Sequence, residues 1–332
     1  MNTALLSNLL DPPILFFLLG TVIGLLRSNL DVPQPIAKFL SLYLLMAIGF
    51  KGGVALAKTG VSPQMGLALA AAVILAVGVP LWTYAVLRRR LATFDAAAVA
   101  ATYGSVSATT FITATQYLQT QGIDFGGHMA VALVLMESPA ILMAMALASW
   151  ARRQEALGAA AHGQAPAAGP SIGHVVREAF TDGANLLLLG SLAIGFVTGD
   201  QGKAMMEPFS GALFKGMLAL FLLDLGLLVA RQLPALRTVH PALLLYGVCG
   251  PLVHGLIAMG LAAALHLGAG DAILLVVLAA SASYIVVPAV LRHAIPEAKP
   301  GLYLGLSLAV TFVFNILIGI PLYAGVVQRV WG

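Results

Sequence analysis

The sequence is nearly bare of charge and carries a single cysteine. Asp, Glu, Lys and Arg make up 9% of its 332 residues, against about 25% in soluble domains. Apolar residues fill 60% of the chain, more than a water-soluble fold can bury, so the soluble classes drop out and a polytopic membrane protein remains. The lone Cys249 excludes an internal disulfide and a cysteine metal cluster. Basic residues outnumber acidic ones, 17 to 13, for a net charge of +4 with no basic patch. That excess is a topology signal and gives no footing for nucleic acid. Residues 1–11 lack the basic stretch and small-residue cleavage site of a secretory leader, so the first apolar stretch reads as a membrane helix. No Ser/His/Asp order, metal-ligand spacing or nucleotide-binding loop is present. An enzyme is not expected, and neither is a cofactor beyond a coupling ion.

Crossing about 30 Å of hydrocarbon takes roughly 20 helical residues. Apolar runs divided by Pro, Gly and charge clusters predict an all-α protein of ten transmembrane helices: 12–27, 36–57, 65–87, 95–118, 127–150, 183–199, 210–230, 241–265, 271–291 and 301–327. Loops after the odd-numbered helices hold Arg27, Lys38, Arg88, Arg89, Arg90, Arg152, Arg153, Arg177, Arg231, Arg237, Arg292 and Lys299, 12 of the 17 basic residues. By the positive-inside rule those loops are cytoplasmic and both termini lie outside, in the inner (plasma) membrane. Residues 151–182, rich in Ala, Gly, Pro and His, read as a cytoplasmic linker. That linker is either a bare connector or a docking site for a soluble partner.

The halves 1–150 and 183–332 align at a near-constant offset. Phe94-Asp95-Ala96 answers Gly270-Asp271-Ala272, Leu19-Gly20-Thr21 answers Leu189-Gly190-Ser191, and Ile48-Gly49-Phe50 answers Leu225-Gly226-Leu227. Five helices per unit is an odd number, which turns the second unit upside down, so the prediction is two inverted five-helix repeats of the kind alternating access uses.

Two spans carry small hydroxyl residues at mid-length. The fourth holds Gly104-Ser105-Val106-Ser107-Ala108-Thr109-Thr110, and the ninth holds Ala280-Ser281-Ala282-Ser283-Tyr284, with Pro288 beyond. We expect both to be broken there and to cross. Half-helix N-termini and the hydroxyls of Ser105, Ser107, Thr109, Thr110, Ser281 and Ser283 would then cradle a small anion. The competing reading is that these small residues serve close helix packing. Glu137, inside the fifth span, is costly at that depth and is a functional candidate. The repeat offset sets Asn315 opposite it, and together with Ser107 and Ser283 the pair offers oxygen ligands to a hard cation such as Na⁺. Its structural alternative is a neutral carboxyl hydrogen-bonded to a neighbouring helix. Lys51 and Asp224 are weaker candidates that either pair or snorkel, and His254 is expected to make a structural hydrogen bond to backbone.

These stretches resemble the Na⁺-dependent bicarbonate transporter family, the cyanobacterial-type permeases. The likeness also rests on Met136-Glu137-Ser138-Pro139-Ala140, on Pro251-Leu252-Val253-His254-Gly255 and on Leu291-Arg292-His293-Ala294-Ile295-Pro296. The resemblance implies crossed fourth and ninth helices, a core and a gate domain, Na⁺-coupled bicarbonate uptake, a homotrimer, and inhibition by a PII-like protein at the cytoplasmic face. It places the anion site on Gly104, Ser105, Ser107, Ala282 and Ser283. The sequence departs from the family pattern at Tyr284, which stands where an Asp is expected. It departs again at Ile285-Val286-Val287 and at Phe312, Phe314 and Asn315, where smaller residues or proline are expected. Transport of another small carboxylate, coupling to H⁺ through Glu137, and a non-transporting membrane sensor stay open as alternatives.

Overall fold

A computed structural model describes residues 2–60, 62–160 and 183–331. The described residues are helical throughout, with no strand among them. In chain order the helices are α1 (Asn2–Leu9), α2 (Pro12–Leu25), α3 (Gln34–Thr59), α4 (Pro63–Leu87), α5 (Thr93–Gly104), α6 (Ala108–Thr120) and α7 (Met129–Ala160). Beyond residue 182 come α8 (Gly183–Met206), α9 (Phe214–Leu236), α10 (Pro241–Ala264), α11 (Ala269–Ala280), α12 (Val286–Ala294) and α13 (Pro300–Trp331). Proline in the first turn starts α2, α3, α4 and α10, where its missing N–H has no partner to lose.

Five helical stretches among the described residues are long and apolar enough to cross a membrane: Gln34–Thr59, Pro63–Leu87, Gly183–Leu236, Pro241–Ala264 and Pro300–Trp331. The fourth and ninth expected spans are broken, at 105–107 and 281–285. Their halves α5, α6 and α11 have 12, 13 and 12 residues. At 1.5 Å per residue each is about 20 Å long, too short to cross alone, so only end to end can a pair reach both faces.

Other boundaries differ from expectation for local reasons. The helix expected to end at 199 does break there, where Gly199 takes a positive φ of 53° and kinks the chain, but a second helical piece follows to Met206 within the expected gap over 200–209. A π-helical turn, Glu207–Ala212, then leads to α9. α7 runs to Ala160, ten residues past the expected end at 150. Residues 161–182, and with them most of the expected linker and its partner site, lie outside the described residues. The short α1 was not expected. Its Asn8 amide donates to the Ile316 carbonyl at 3.0 Å, within a π-helical stretch of α13 (Asn315–Gly319).

Glycine sets the two tightest pairings. α3 packs along α8 and α2 along α9. A Cβ on Gly53 or Gly195 would collide with backbone of the facing helix in the first pair, and one on Gly20 or Gly226 in the second. α5, α6 and α11 sit inside. Ala96 to Ala101 and Ala272 to Ala280 are almost wholly buried, as backbone broken at membrane depth requires. The outer faces of α4, α8 and α10 expose Ile74, Leu81, Val197, Leu245 and Leu256, the apolar perimeter that lipid would cover.

Candidate functional site

The two breaks touch. The Ser107 N–H donates to Ser281 Oγ at 3.0 Å, and the Ser283 N–H donates to the Thr102 carbonyl at 2.8 Å. Each break also caps its own second half. Ser107 Oγ accepts the Thr110 N–H at 3.1 Å, and Ser283 Oγ, 176 residues further on, accepts the Val287 N–H at 3.3 Å. Capping by a side-chain oxygen is why Ser suits these positions. The offset recurs at the far ends of the broken spans. Asp95 accepts the Lys299 N–H at 2.8 Å, and Asp271 accepts the Gly126 N–H at 2.6 Å.

Beside the crossing lies a cavity of about 110 Å³. Four of the sequence candidates line it: Ser107, Thr109, Ser283 and Glu137. Tyr284 forms part of the same wall, as do Ala108 and Val286, the first residues of α6 and α12. The N–H groups of a first helical turn have no intrahelical acceptor, so both half-helices turn a partial positive charge toward this space. Tyr284 is buried, its ring 5.1 Å from that of Phe312. Its hydroxyl faces those of Thr109 and Ser107 but meets neither in hydrogen-bonding geometry. A buried hydroxyl left so is uncommon and calls for an explanation.

The remaining candidates are placed differently. Ser105 Oγ and Thr110 Oγ1 are buried beside the break and likewise lack partners among the described residues. Ser281 Oγ donates to the Leu278 carbonyl at 2.8 Å while accepting from Ser107, so it ties the crossing together. Ala282 is buried between the two serines. Gly104 has a packing role, since a Cβ there would come within 2.6 Å of the Pro80 ring. Asn315 does not line the cavity. Its amide donates to the Ala280 carbonyl at 2.7 Å and its oxygen accepts from Tyr323 at 3.1 Å, so both ends are committed to closing off the end of α11. Glu137 sits two residues before Pro139, which has no N–H and so leaves the Leu135 carbonyl without its helical donor.

Lys51 and Asp224 form no ion pair; the Lys51 ammonium lies 4.2 Å from the centre of the Phe214 ring. His254, fully buried, meets side chains where a backbone bond was expected: Nε2 lies 3.4 Å from both Thr83 Oγ1 and the Tyr246 hydroxyl. The Tyr246 hydroxyl donates to Thr83 at 2.8 Å, and nearby Tyr103 and Thr311 share a 2.6 Å hydrogen bond. Sequence reading missed Tyr284 as a polar group, treating it as bulk, although a phenol in an apolar span is the kind of signal that points to one.

An all-helical chain with an apolar perimeter and two broken helices meeting over a small polar cavity is a membrane protein of the transporter class. A family model for the Na⁺-dependent bicarbonate transporter superfamily matches residues 12–328. The chain belongs to that superfamily, and is therefore a transporter-family protein and not an enzyme. A comparison with curated proteins found no significant match.

Proposed function

We propose that the protein imports bicarbonate, coupled to Na⁺, by alternating access, with the anion held in the cavity between the two breaks. The carrying observation is that cavity, where two helix N-termini, the Ser107, Thr109 and Ser283 hydroxyls and the unpartnered Tyr284 hydroxyl converge. A cavity of about 110 Å³ has room for a four-heavy-atom anion. Glu137 and the carbonyl freed by Pro139 are the oxygens we assign to Na⁺; Asn315, the other ligand considered, is already engaged at Ala280.

Alternating access rests on the ten-helix inverted repeat, for which the recurring offset of 176 between the breaks and between their caps is the support. Exchanging the two halves also turns the α2–α9 pairing into the α8–α3 pairing, as an inverted repeat demands. On the charge count, odd-numbered loops are cytoplasmic, both termini lie outside, and the protein resides in the inner membrane. A homotrimer and a PII-like partner at the linker complete the proposal; they rest on the family resemblance.

The test is uptake of labelled bicarbonate into proteoliposomes with and without a Na⁺ gradient. Uptake that the gradient accelerates is expected. Equal uptake under both conditions would point to H⁺ coupling, and no uptake or counterflow would leave a non-transporting sensor. Glu137→Gln should flatten the Na⁺ dependence more than it lowers expression; an unchanged Na⁺ response removes Glu137 from the coupling site.

A further inference from the structure

A second cavity, of about 490 Å³, lies elsewhere in the molecule. Four helices line both cavities, each in the same axial order. α3 gives Ser41 and Leu45 to the small cavity and Lys51 and Lys58 to the large one; α6 gives Thr109 and then Thr115; α7 gives Glu137 and then Ala130; α8 gives Asn185 and then Lys203. At 1.5 Å per residue, Leu45 and Lys51 stand about 9 Å apart along α3. The large cavity is therefore stacked on the small one. Ile48 and Phe111 on the large cavity and Leu45, Ile112 and Leu133 on the small one, all buried, make an apolar partition between them.

Charge is distributed unevenly in this antechamber. Its mouth is balanced, with exposed Lys58, Lys203, Asp124 and Glu207, and Lys58 is paired with Asp200 at 2.6 Å. Its inner end holds Lys51, the one charged residue of the lining that is not exposed. Among the described residues no carboxylate lies within ion-pair distance of Lys51, although Glu207 and Lys203, of opposite sign, are both near enough to be felt. The Phe214 ring face steadies the ammonium without supplying a compensating anion. A semi-buried cation of that kind turns a positive charge toward the inner end of the cavity.

We propose that the antechamber is a capture site for a small monovalent oxyanion, with Lys51 as its principal ligand, and that the anion waits there before passing the partition to the serine cavity. This rests on the transport reading above. Capture raises the local concentration of substrate and speeds its arrival. Removing the inner charge therefore raises KM and leaves the maximal rate nearly untouched.

Lys51→Gln is expected to raise KM for labelled bicarbonate about tenfold with the maximal rate within twofold, and Lys51→Arg to stay near the parent. A KM within twofold of the parent for Lys51→Gln overturns the proposal, as does a loss confined to the maximal rate. A second readout does not need transport. With Cys249→Ala as background, Ala55→Cys places a thiol in the antechamber wall one helical turn from Lys51. Bicarbonate should slow labelling of that thiol by a small methanethiosulfonate at least threefold, and should not do so when Lys51→Gln is added. Unprotected labelling overturns the capture site even where uptake is intact. Protection in a chain that shows no uptake overturns the transport reading and leaves the site standing.

Discussion

Replacing Tyr284 with phenylalanine should move stability and affinity in opposite directions. The hydroxyl is buried and meets no partner in hydrogen-bonding geometry among the described residues, so the fold already bears its desolvation, about 1–3 kcal/mol for an unsatisfied polar group. Tyr284→Phe keeps the ring and its packing on Phe312 and removes the orphaned oxygen. Thermal unfolding of the purified, substrate-free protein should then shift upward or stay level. With substrate the balance reverses. A hydrogen bond from a phenol to an anion is worth about 1.5–3 kcal/mol, and each 1.4 kcal/mol is tenfold in affinity. The KM for bicarbonate in proteoliposomes should therefore rise about 10- to 100-fold. An unchanged KM would take the hydroxyl out of the substrate site. A fall in melting temperature would mean that the hydroxyl has an internal partner after all, and the argument from its isolation would fail.

Asn315→Ala should cost about 2–5 kcal/mol, because it strands the buried Ala280 carbonyl and the Tyr323 hydroxyl at once. Thermal unfolding in detergent measures it, and a variant with parental stability but weakened Na⁺ dependence would restore Asn315 as a cation ligand. In the last third of α7, Arg152 grips Glu297 through two 2.9 Å hydrogen bonds and holds its carboxyl below the usual carboxylate range. A lowered folded-state pKa means the pair stabilises fully above the unfolded value, about 4.3, and that this contribution is lost as pH falls through the folded one. Glu297 is 38% exposed, so the gain stays below about 1 kcal/mol. The melting temperatures of the parent and Glu297→Gln should separate at pH 7 and converge toward pH 3; a gap of equal size at both would refute the assignment.

Much of this molecule was legible in the residues. Scarcity of charge declared the membrane, since nothing else tolerates so much apolar surface. Runs of apolar residues divided by proline and glycine gave most helices. Small hydroxyl residues in apolar spans marked both breaks, because Ser caps a half-helix where Leu cannot. The matched pair Asp95 and Asp271 announced the offset that the breaks obey. All of these are local matters of composition, period or capping, and local matters can be read along a chain.

What the sequence could not decide was who meets whom. Ser107, Thr109, Ser283 and Glu137 carry no mark separating them from Ser281 and Asn315, yet the first group faces a cavity and the second closes a helix end. Only the crossing of two spans 176 residues apart assigns those roles, because a polar atom in an apolar interior takes whichever partner packing brings within 3 Å. The same holds for Lys51, which by sequence had Asp224 as a candidate partner and in three dimensions has an aromatic face and an open cavity. Polarity was a property of the residues; whether each polar group was spent on the fold or left over for a ligand was settled by tertiary contact.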